Sequence, residues 1–173
     1  MPYQKTLNKL IDIPSDTWCL VDTNILIYWA LDHPVYGEDC TKFITRGIKQ
    51  EITLFIPAVV LNEFIHRLMI AEIMEHDTSI SRTKALNILK HQKIKDDFYS
   101  RTWELVDTLL SVHLQLLDYS ENIIKNQVQI LRKYPLMAAD ASVVATGIEN
   151  DIHHIATRDS DFLRIPGFTI WSP

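Results

Sequence analysis

The stretch Cys19-Leu20-Val21-Asp22-Thr23-Asn24-Ile25-Leu26-Ile27-Tyr28 consists of two apolar segments separated by three polar residues. The first segment, together with Trp18, predicts a short strand that is covered on both faces. The second segment begins a predicted helix over 24–30. A carboxylate between two core segments is unfavourable unless it is paired or binds a metal ion. No Lys or Arg lies near Asp22 in the sequence, so this aspartate is the first candidate functional residue.

Further apolar runs continue the pattern of strand followed by helix along the whole chain. Four more strands are predicted, at Ile52–Ile56, Val112–Asp118, Ile152–Thr157 and Phe168–Trp171. Helices are predicted over 36–49, 58–75, 120–133 and 141–148, with two more within 78–110. Strands that alternate with helices pair in parallel through right-handed crossovers. The expected fold is therefore α/β, a three-layer α/β/α sandwich with a central, mainly parallel sheet of about five strands.

Length and charge restrict the class of protein. A chain of 173 residues is expected to form a single domain. Its net charge of −5 is the opposite of the usual signature of a nucleic-acid-binding domain. Binding of RNA or DNA would therefore require a local basic patch or metal ions. The one modest basic cluster, 91–95 with Arg82 and Lys84, is expected to be a solvated helix face, with RNA contact as the alternative.

The lack of a recognisable targeting signal and the spacing of the two cysteines favour an intracellular location. The N-terminus lacks the continuous apolar stretch of a signal peptide, and no apolar run approaches the ~20 residues of a membrane span. Cys19 and Cys40 do not have the spacing of a metal or redox motif. We expect a soluble cytoplasmic protein with no membrane partner.

Acidic residues follow the predicted strands at several points. In open parallel sheets, ligands bind beyond the carboxyl ends of the strands. Taken singly, each acid has a structural explanation: a helix N-cap, a solvated helix residue or a turn acid. Together they are expected to converge on one edge of the sheet, and they are Asp22, Glu63, Asp140, Asp159 and Asp161.

Carboxylates gathered without positive partners repel one another, and some would have to bind protons. A divalent cation removes this repulsion, and hard oxygen ligands suit Mg²⁺ or Mn²⁺. Such an ion can polarise a phosphoryl oxygen and lower the pKa of a bound water. The chemistry indicated is hydrolysis of a phosphodiester bond.

The motifs around these acids resemble those of the PIN domain, the metal-dependent ribonuclease fold of VapC-type toxins in toxin–antitoxin pairs. The resemblance runs from about residue 18 to the C-terminus. It rests on four segments: Val21-Asp22-Thr23-Asn24, Asn62-Glu63, Ala139-Asp140-Ala141 with Ala145, and Thr157-Arg158-Asp159-Ser160-Asp161-Phe162. Two features depart from compact members of the family: residues 1–16 precede the first motif as an N-terminal extension, and 71–110 form a longer helical elaboration.

The resemblance implies roles for individual residues. Catalysis and metal binding would fall to Asp22, Glu63, Asp140 and Asp159, with Asp161 as an alternate or additional metal ligand. Asn24 and Thr157 match polar positions that orient the acids or water. The implied cofactor is Mg²⁺ or Mn²⁺.

The function implied is a metal-dependent endoribonuclease, the toxin of a type II toxin–antitoxin system. Its expected partners are an RNA substrate, a cognate antitoxin and a second copy of the chain in a homodimer. A non-catalytic PIN-fold module that binds RNA or protein is the alternative. Loss of one or more acids would be the sequence sign of such a module, and the set is intact here.

Overall fold

The computed structural model describes residues 7–91, 98–112 and 114–173. Within these ranges the chain forms six strands and seven α-helices. The strands are β1 Asn8–Lys9, β2 Trp18–Val21, β3 Thr53–Pro57, β4 Gln115–Leu117, β5 His154–Ala156 and β6 Thr169–Ser172. The helices are α1 Thr23–Ala30, α2 Gly37–Ile48, α3 Ala58–His76, α4 Arg82–His91, α5 Ser100–Ser111, α6 Glu121–Lys133 and α7 Ala138–Glu149. Short 3-10 helices occur at Leu10–Asp12 and Ser160–Arg164.

All six strands pair in parallel in the order β1-β6-β5-β2-β3-β4, so β2 lies near the middle of the sheet. Cys19, Leu20 and Val21 of β2 are completely buried, as expected for a strand covered on both faces. The architecture is a three-layer α/β/α sandwich, and this part of the sequence prediction is confirmed. The practical consequence is that β2, β3 and β5 end side by side at one edge.

The predicted strands and helices are all present, with ends that differ by a few residues. The sheet has one strand more than expected, because Asn8 and Lys9 pair with Trp171 and Ser172 of the last strand. Two residues are too few to show a strand periodicity in the sequence. Leu10 follows this strand directly, and its side chain is buried in the main core.

The segment 71–110 contains the end of α3, then α4 and α5, and the prediction of two helices within 78–110 is met. Residues 92–97 lie outside the described residues, and with them most of the predicted basic tract 91–95. A small second hydrophobic cluster forms under this region around Ile70, Ile73 and Ala85. The buried carboxylate of Glu72 accepts hydrogen bonds from the backbone N–H groups of Arg101 and Thr102, at 3.1 and 3.0 Å, and so caps α5.

One boundary matters for the candidate site. The helix predicted over 141–148 begins three residues earlier than expected, and the alternative explanation of Asp140 as a helix N-cap is wrong. Helix α7 begins at Ala138 after an extended Met137, so Asp140 lies within its first turn. The carboxylate is therefore not used as a cap and projects from the helix.

In the part of the chain that the structure describes, no helix is both long and apolar enough to span a membrane.

Candidate active site

Five acids come from four different elements to the edge where β2, β3 and β5 end. Asp22 directly follows β2, and Asp159 and Asp161 follow β5. Glu63 is in the second turn of α3, which begins where β3 ends, and Asp140 is in the first turn of α7. The charges of Glu63 and Asp159 raise the pKa of Asp22, so the groups lie within electrostatic reach of one another. The parallel sheet thus assembles residues that are far apart in the sequence.

Asp22 is the most buried of these acids, with 8% of its surface exposed. Its Oδ1 accepts a hydrogen bond of 2.7 Å from the backbone N–H of Thr23 and thereby caps α1. Its Oδ2 accepts from the Thr157 hydroxyl at 2.6 Å and from the Asn24 amide. Three donors therefore hold the carboxylate in one orientation at the end of β2.

Thr157 and Asn24 connect the ends of β2 and β5. The Thr157 hydroxyl oxygen accepts from Asn24 Nδ2 and from the backbone N–H of Asp159, both at 3.0 Å. Asn24 Oδ1 accepts from the backbone N–H of Arg158, also at 3.0 Å. This network supports the role of orienting the acids that the sequence comparison implied for both residues.

The pKa of Asp22 is raised to about 6, and burial is the main cause. The hydrogen bonds from Thr157 and Thr23 act in the opposite direction, because they stabilise the carboxylate. The nearby charges of Glu63 and Asp159 raise the pKa again. The Asp22 carboxylate thus accepts three hydrogen bonds but has no cationic partner among the described residues.

Asp140 has the same pKa, about 6, for a simpler set of reasons. Burial is the main cause, followed by the charges of Asp22, Asp159, Glu63 and Asp161. No hydrogen bond or ion pair within the described residues involves its carboxylate. The side chain of Asp140 is therefore free to bind a ligand.

The two outer acids each have an arginine partner. Glu63 Oε1 lies 2.7 Å from Nη2 of Arg67, one turn along α3, and its Oε2 accepts a hydrogen bond of 3.0 Å from the Thr23 hydroxyl. Asp161 Oδ1 lies 2.9 Å from Nη2 of Arg164. The inner acids Asp22, Asp140 and Asp159 form no ion pair within the described part of the chain. The negative charges that have no cationic partner are therefore those of the three inner acids.

Asp159 and Asp161 have different surroundings although they are two residues apart. Asp159 Oδ1 accepts from the backbone N–H of Asp161 at 2.8 Å and caps the short 3-10 helix. Its charge acts on both Asp22 and Asp140, whereas the charge of Asp161 acts on Asp140 alone and is the weakest contribution there. Of the two residues, Asp159 is therefore the one that interacts more strongly with Asp22 and Asp140.

Sequence reasoning overlooked the arginines and Thr23. The spacing of Glu63 and Arg67, four residues apart on a helix, was a usable signal for their ion pair. The hydroxyl of Thr23 lies in the opening motif but was given no partner, because its contact with Glu63 joins residues 40 positions apart. His66, three residues after Glu63, is exposed on α3 and takes no part in the acid group.

The acids fit a divalent cation in their donor chemistry. Oxygen ligands without cationic partners are what Mg²⁺ and Mn²⁺ prefer, and an ion would offset the repulsion that raises the two pKa values. As the side chains lie, no three acidic, histidine or cysteine residues in the described ranges are arranged closely enough to hold an ion. Binding would therefore require side-chain adjustment.

Comparison with known proteins places the chain in a family. Residues 19–167 match the model of the PIN domain. The chain is 29% identical over 144 residues to "Ribonuclease VapC2" of Methanocaldococcus jannaschii, covering 83% of this chain and 86% of that protein.

Solved structures share the fold. In the Rickettsia felis VapBC2 complex bound to a promoter DNA fragment, a chain matches with a TM-score of 0.61 and 17% identity over 91% of this chain and 99% of that one. In VapBC-1 of nontypeable Haemophilus influenzae, a chain matches with a TM-score of 0.56 and 14% identity, covering 90% and 98%. With the family model covering most of its length, this chain belongs to the PIN domain family.

Proposed function

We propose that this protein is a metal-dependent endoribonuclease that hydrolyses RNA phosphodiester bonds, with Asp22, Glu63, Asp140 and Asp159 as its catalytic and metal-binding acids. The observation that carries the proposal is the convergence of these acids from four elements on one sheet edge, where the inner three have no cationic partner among the residues that the structure describes. Membership of the PIN domain family and the ribonuclease name of a relative support the reaction class.

The protein's own groups have separable tasks in this reaction. A bound Mg²⁺ or Mn²⁺ would supply a Lewis acid for the phosphoryl oxygen and an activated water. Asp22 is held rigidly by Thr23, Asn24 and Thr157, which suits a residue that positions other groups. The carboxylate of Asp140 has no competing hydrogen bond within the described residues, so it is the group best able to accept a proton from the attacking water.

We further propose that the chain is the toxin of a type II toxin–antitoxin pair in the cytoplasm. The support is the kind of protein that shares its fold, which includes a chain of the Klebsiella pneumoniae toxin–antitoxin complex with a TM-score of 0.52 and 20% identity. The proposed partners are an antitoxin and a second copy of the chain. The proposed domain organisation is one PIN-like domain over 1–173, with 1–16 and 71–110 as additions to it.

The alternative of a non-catalytic binding module is favoured by one observation: among the described residues, no three acids are already arranged around an ion position. A binding module would need no metal for its contact with RNA or protein. Chelation therefore separates the two proposals directly.

The test is cleavage of total cellular RNA by the purified chain before and after removal of metal. We expect cleavage to stop in EDTA and to return when Mg²⁺ or Mn²⁺ is added in excess, because the inner acids need a cation to bind a phosphate group. Cleavage that persists in EDTA would contradict the metal-dependent mechanism. RNA binding without cleavage under every metal condition would favour the binding module.

The fourth metal ligand can be assigned by comparing Asp159→Asn with Asp161→Asn. We expect Asp159→Asn to weaken binding of Mn²⁺ by more than about tenfold, and Asp161→Asn to change it by less than about threefold, since Asp161 already pairs with Arg164. An asparagine at 159 can still cap the 3-10 helix through its carbonyl oxygen, so the local fold should persist. Isothermal titration calorimetry of the two variants measures the difference, and the reverse order would assign Asp161 instead.

A further inference from the structure

Arg158 follows β5, and its guanidinium group contacts Tyr36 rather than an acid of the described residues. Arg158 is located between Thr157 and Asp159, and its side chain is exposed. Arg67 and Arg164 form ion pairs with the outer acids Glu63 and Asp161, so their positive charges are balanced. Arg158 forms no ion pair within the described ranges. Its positive charge is therefore not balanced by an acid of the described residues and is available to an anionic ligand.

The guanidinium group of Arg158 is held in place by Tyr36. Its Nη2 donates a hydrogen bond of 2.9 Å to the Tyr36 hydroxyl, and its central carbon lies 4.9 Å from the centre of the Tyr36 ring. A guanidinium has five N–H donors in a planar fork, and this contact uses one of them. Because an aromatic ring orients the planar guanidinium, the entropic cost of binding an anionic group is lower.

Tyr36 belongs to a cluster of three partly exposed rings. Its ring stacks on His33 at 4.9 Å with an angle of 14°, and Tyr28 lies 5.1 Å from Tyr36 and 4.6 Å from His33. His33 Nδ1 accepts hydrogen bonds of 3.2 Å from the backbone N–H groups of Val35 and Tyr36, which fix its ring. The cluster is thus a rigid aromatic surface next to the guanidinium.

A groove continues outward from this point. It has a volume of about 440 Å³, and its lining includes Arg158, Tyr36, Lys9 and Asp39. The exposed Lys9 adds a second positive charge to the lining, and Asp39 adds one negative charge. The groove lining therefore combines two cationic side chains with an aromatic ring, and Arg158 connects it in sequence to Thr157 and Asp159.

We propose that Arg158 binds a phosphate of a single-stranded RNA next to the scissile bond, and that Tyr28, His33 and Tyr36 support the adjacent base. This inference rests on the proposed ribonuclease function. A chain of net charge −5 with a cluster of acids repels RNA. Arg158 forms no ion pair within the described residues and is flanked in sequence by Thr157 and Asp159, so its charge would offset part of this repulsion. Arginine forks match phosphate geometry, and bases stack on aromatic rings without sequence preference.

The experiment measures equilibrium binding of a labelled oligouridylate by fluorescence anisotropy in EDTA, over a series of salt concentrations. We expect Arg158→Ala to weaken binding about tenfold and to reduce the salt slope of log K by about 0.7, the value for one phosphate contact on a single strand. Arg158→Lys should keep the slope and lose part of the affinity, because it retains charge without the fork. Tyr36→Phe, which removes only the hydroxyl that orients the guanidinium, should weaken binding a few-fold with the slope unchanged.

Arg132→Ala is the matched control, since Arg132 is an exposed arginine on α6. It should leave both affinity and slope unchanged. An Arg158→Ala protein with wild-type affinity and slope would overturn the inference, as would a wild-type protein that does not bind the oligouridylate at low salt. Cleavage of total RNA, measured in parallel, reports on the proposed function. If the wild type binds but never cleaves, the ribonuclease proposal fails while the Arg158 result stands by itself.

Discussion

Asp22→Asn should lose RNA cleavage by at least about 10³-fold, or roughly 4 kcal/mol of transition-state stabilisation, and should keep the native fold. The amide has nearly the shape of the carboxylate, and its oxygen can still accept from Thr23 N–H and cap α1. Its NH2 group replaces Oδ2, so the hydrogen bond from Asn24 is lost, and the NH2 group can instead donate to the Thr157 hydroxyl oxygen. The amide cannot provide the negative charge that holds a cation. Cleavage of total RNA in Mg²⁺ measures the rate, and circular dichroism checks the fold.

The control for this variant is Asp151→Asn. Asp151 is an exposed acid in the turn before β5, at the opposite edge of the sheet from Asp22. Its backbone has a positive φ of 56°, which asparagine tolerates well. This variant should cleave RNA at the wild-type rate. Full activity in Asp22→Asn would contradict the assignment of the site.

Asp140→Asn should also lose cleavage, but we expect it to stabilise the metal-free protein. Burial and four neighbouring acids raise the pKa of Asp140 to about 6, so ionising this group opposes folding. Its carboxylate makes no hydrogen bond within the described residues that asparagine would disrupt. The activity should fall by at least about 10²-fold, because the amide binds cations and accepts protons poorly.

The gain in stability depends on pH, and its sign follows from the raised pKa. A raised carboxyl pKa gives a contribution to folding that is complete below the unfolded pKa near 4 and is lost as pH rises through about 6. Asparagine does not titrate, so the variant does not lose this contribution as the pH rises. In EDTA, the variant and the wild type should therefore differ little at about pH 3.5, and the variant should be more stable by about 1–3 kcal/mol at about pH 7.5.

Urea unfolding of both proteins at the two pH values measures this difference. His154, whose pKa is lowered mainly by burial, is common to both proteins, so its own pH dependence cancels. Asp107→Asn, a change of an exposed acid on α5, is the control and should show no such trend. A variant less stable than the wild type at the higher pH would show that Asp140 has favourable contacts in the folded state.

Much of the fold could be predicted from residue patterns because those patterns are local. The run from Trp18 to Val21 predicted a buried strand, and Pro57 correctly marked the point where β3 gives way to α3. The two-residue strand β1 escaped prediction, since its existence depends on pairing with β6 at the other end of the chain. The start of α7 was misplaced by three residues, because Asp140 resembles an N-cap in sequence and the actual N-cap position is occupied by Met137.

The sequence by itself determined which acids lie at the ends of strands and the starts of helices, because element boundaries follow from periodicity and turn residues over short distances. Only the tertiary structure decided how these acids are paired. Thr157 reaches Asp22 across 135 positions of the chain, and Arg158 reaches Tyr36 across 122. Burial and charge at the edge are sums over all elements that meet there, so no local pattern encodes them. Within the described part of the chain, the inner acids have no cationic partner and Arg158 has no ion pair. Both facts could be read only from the assembled edge.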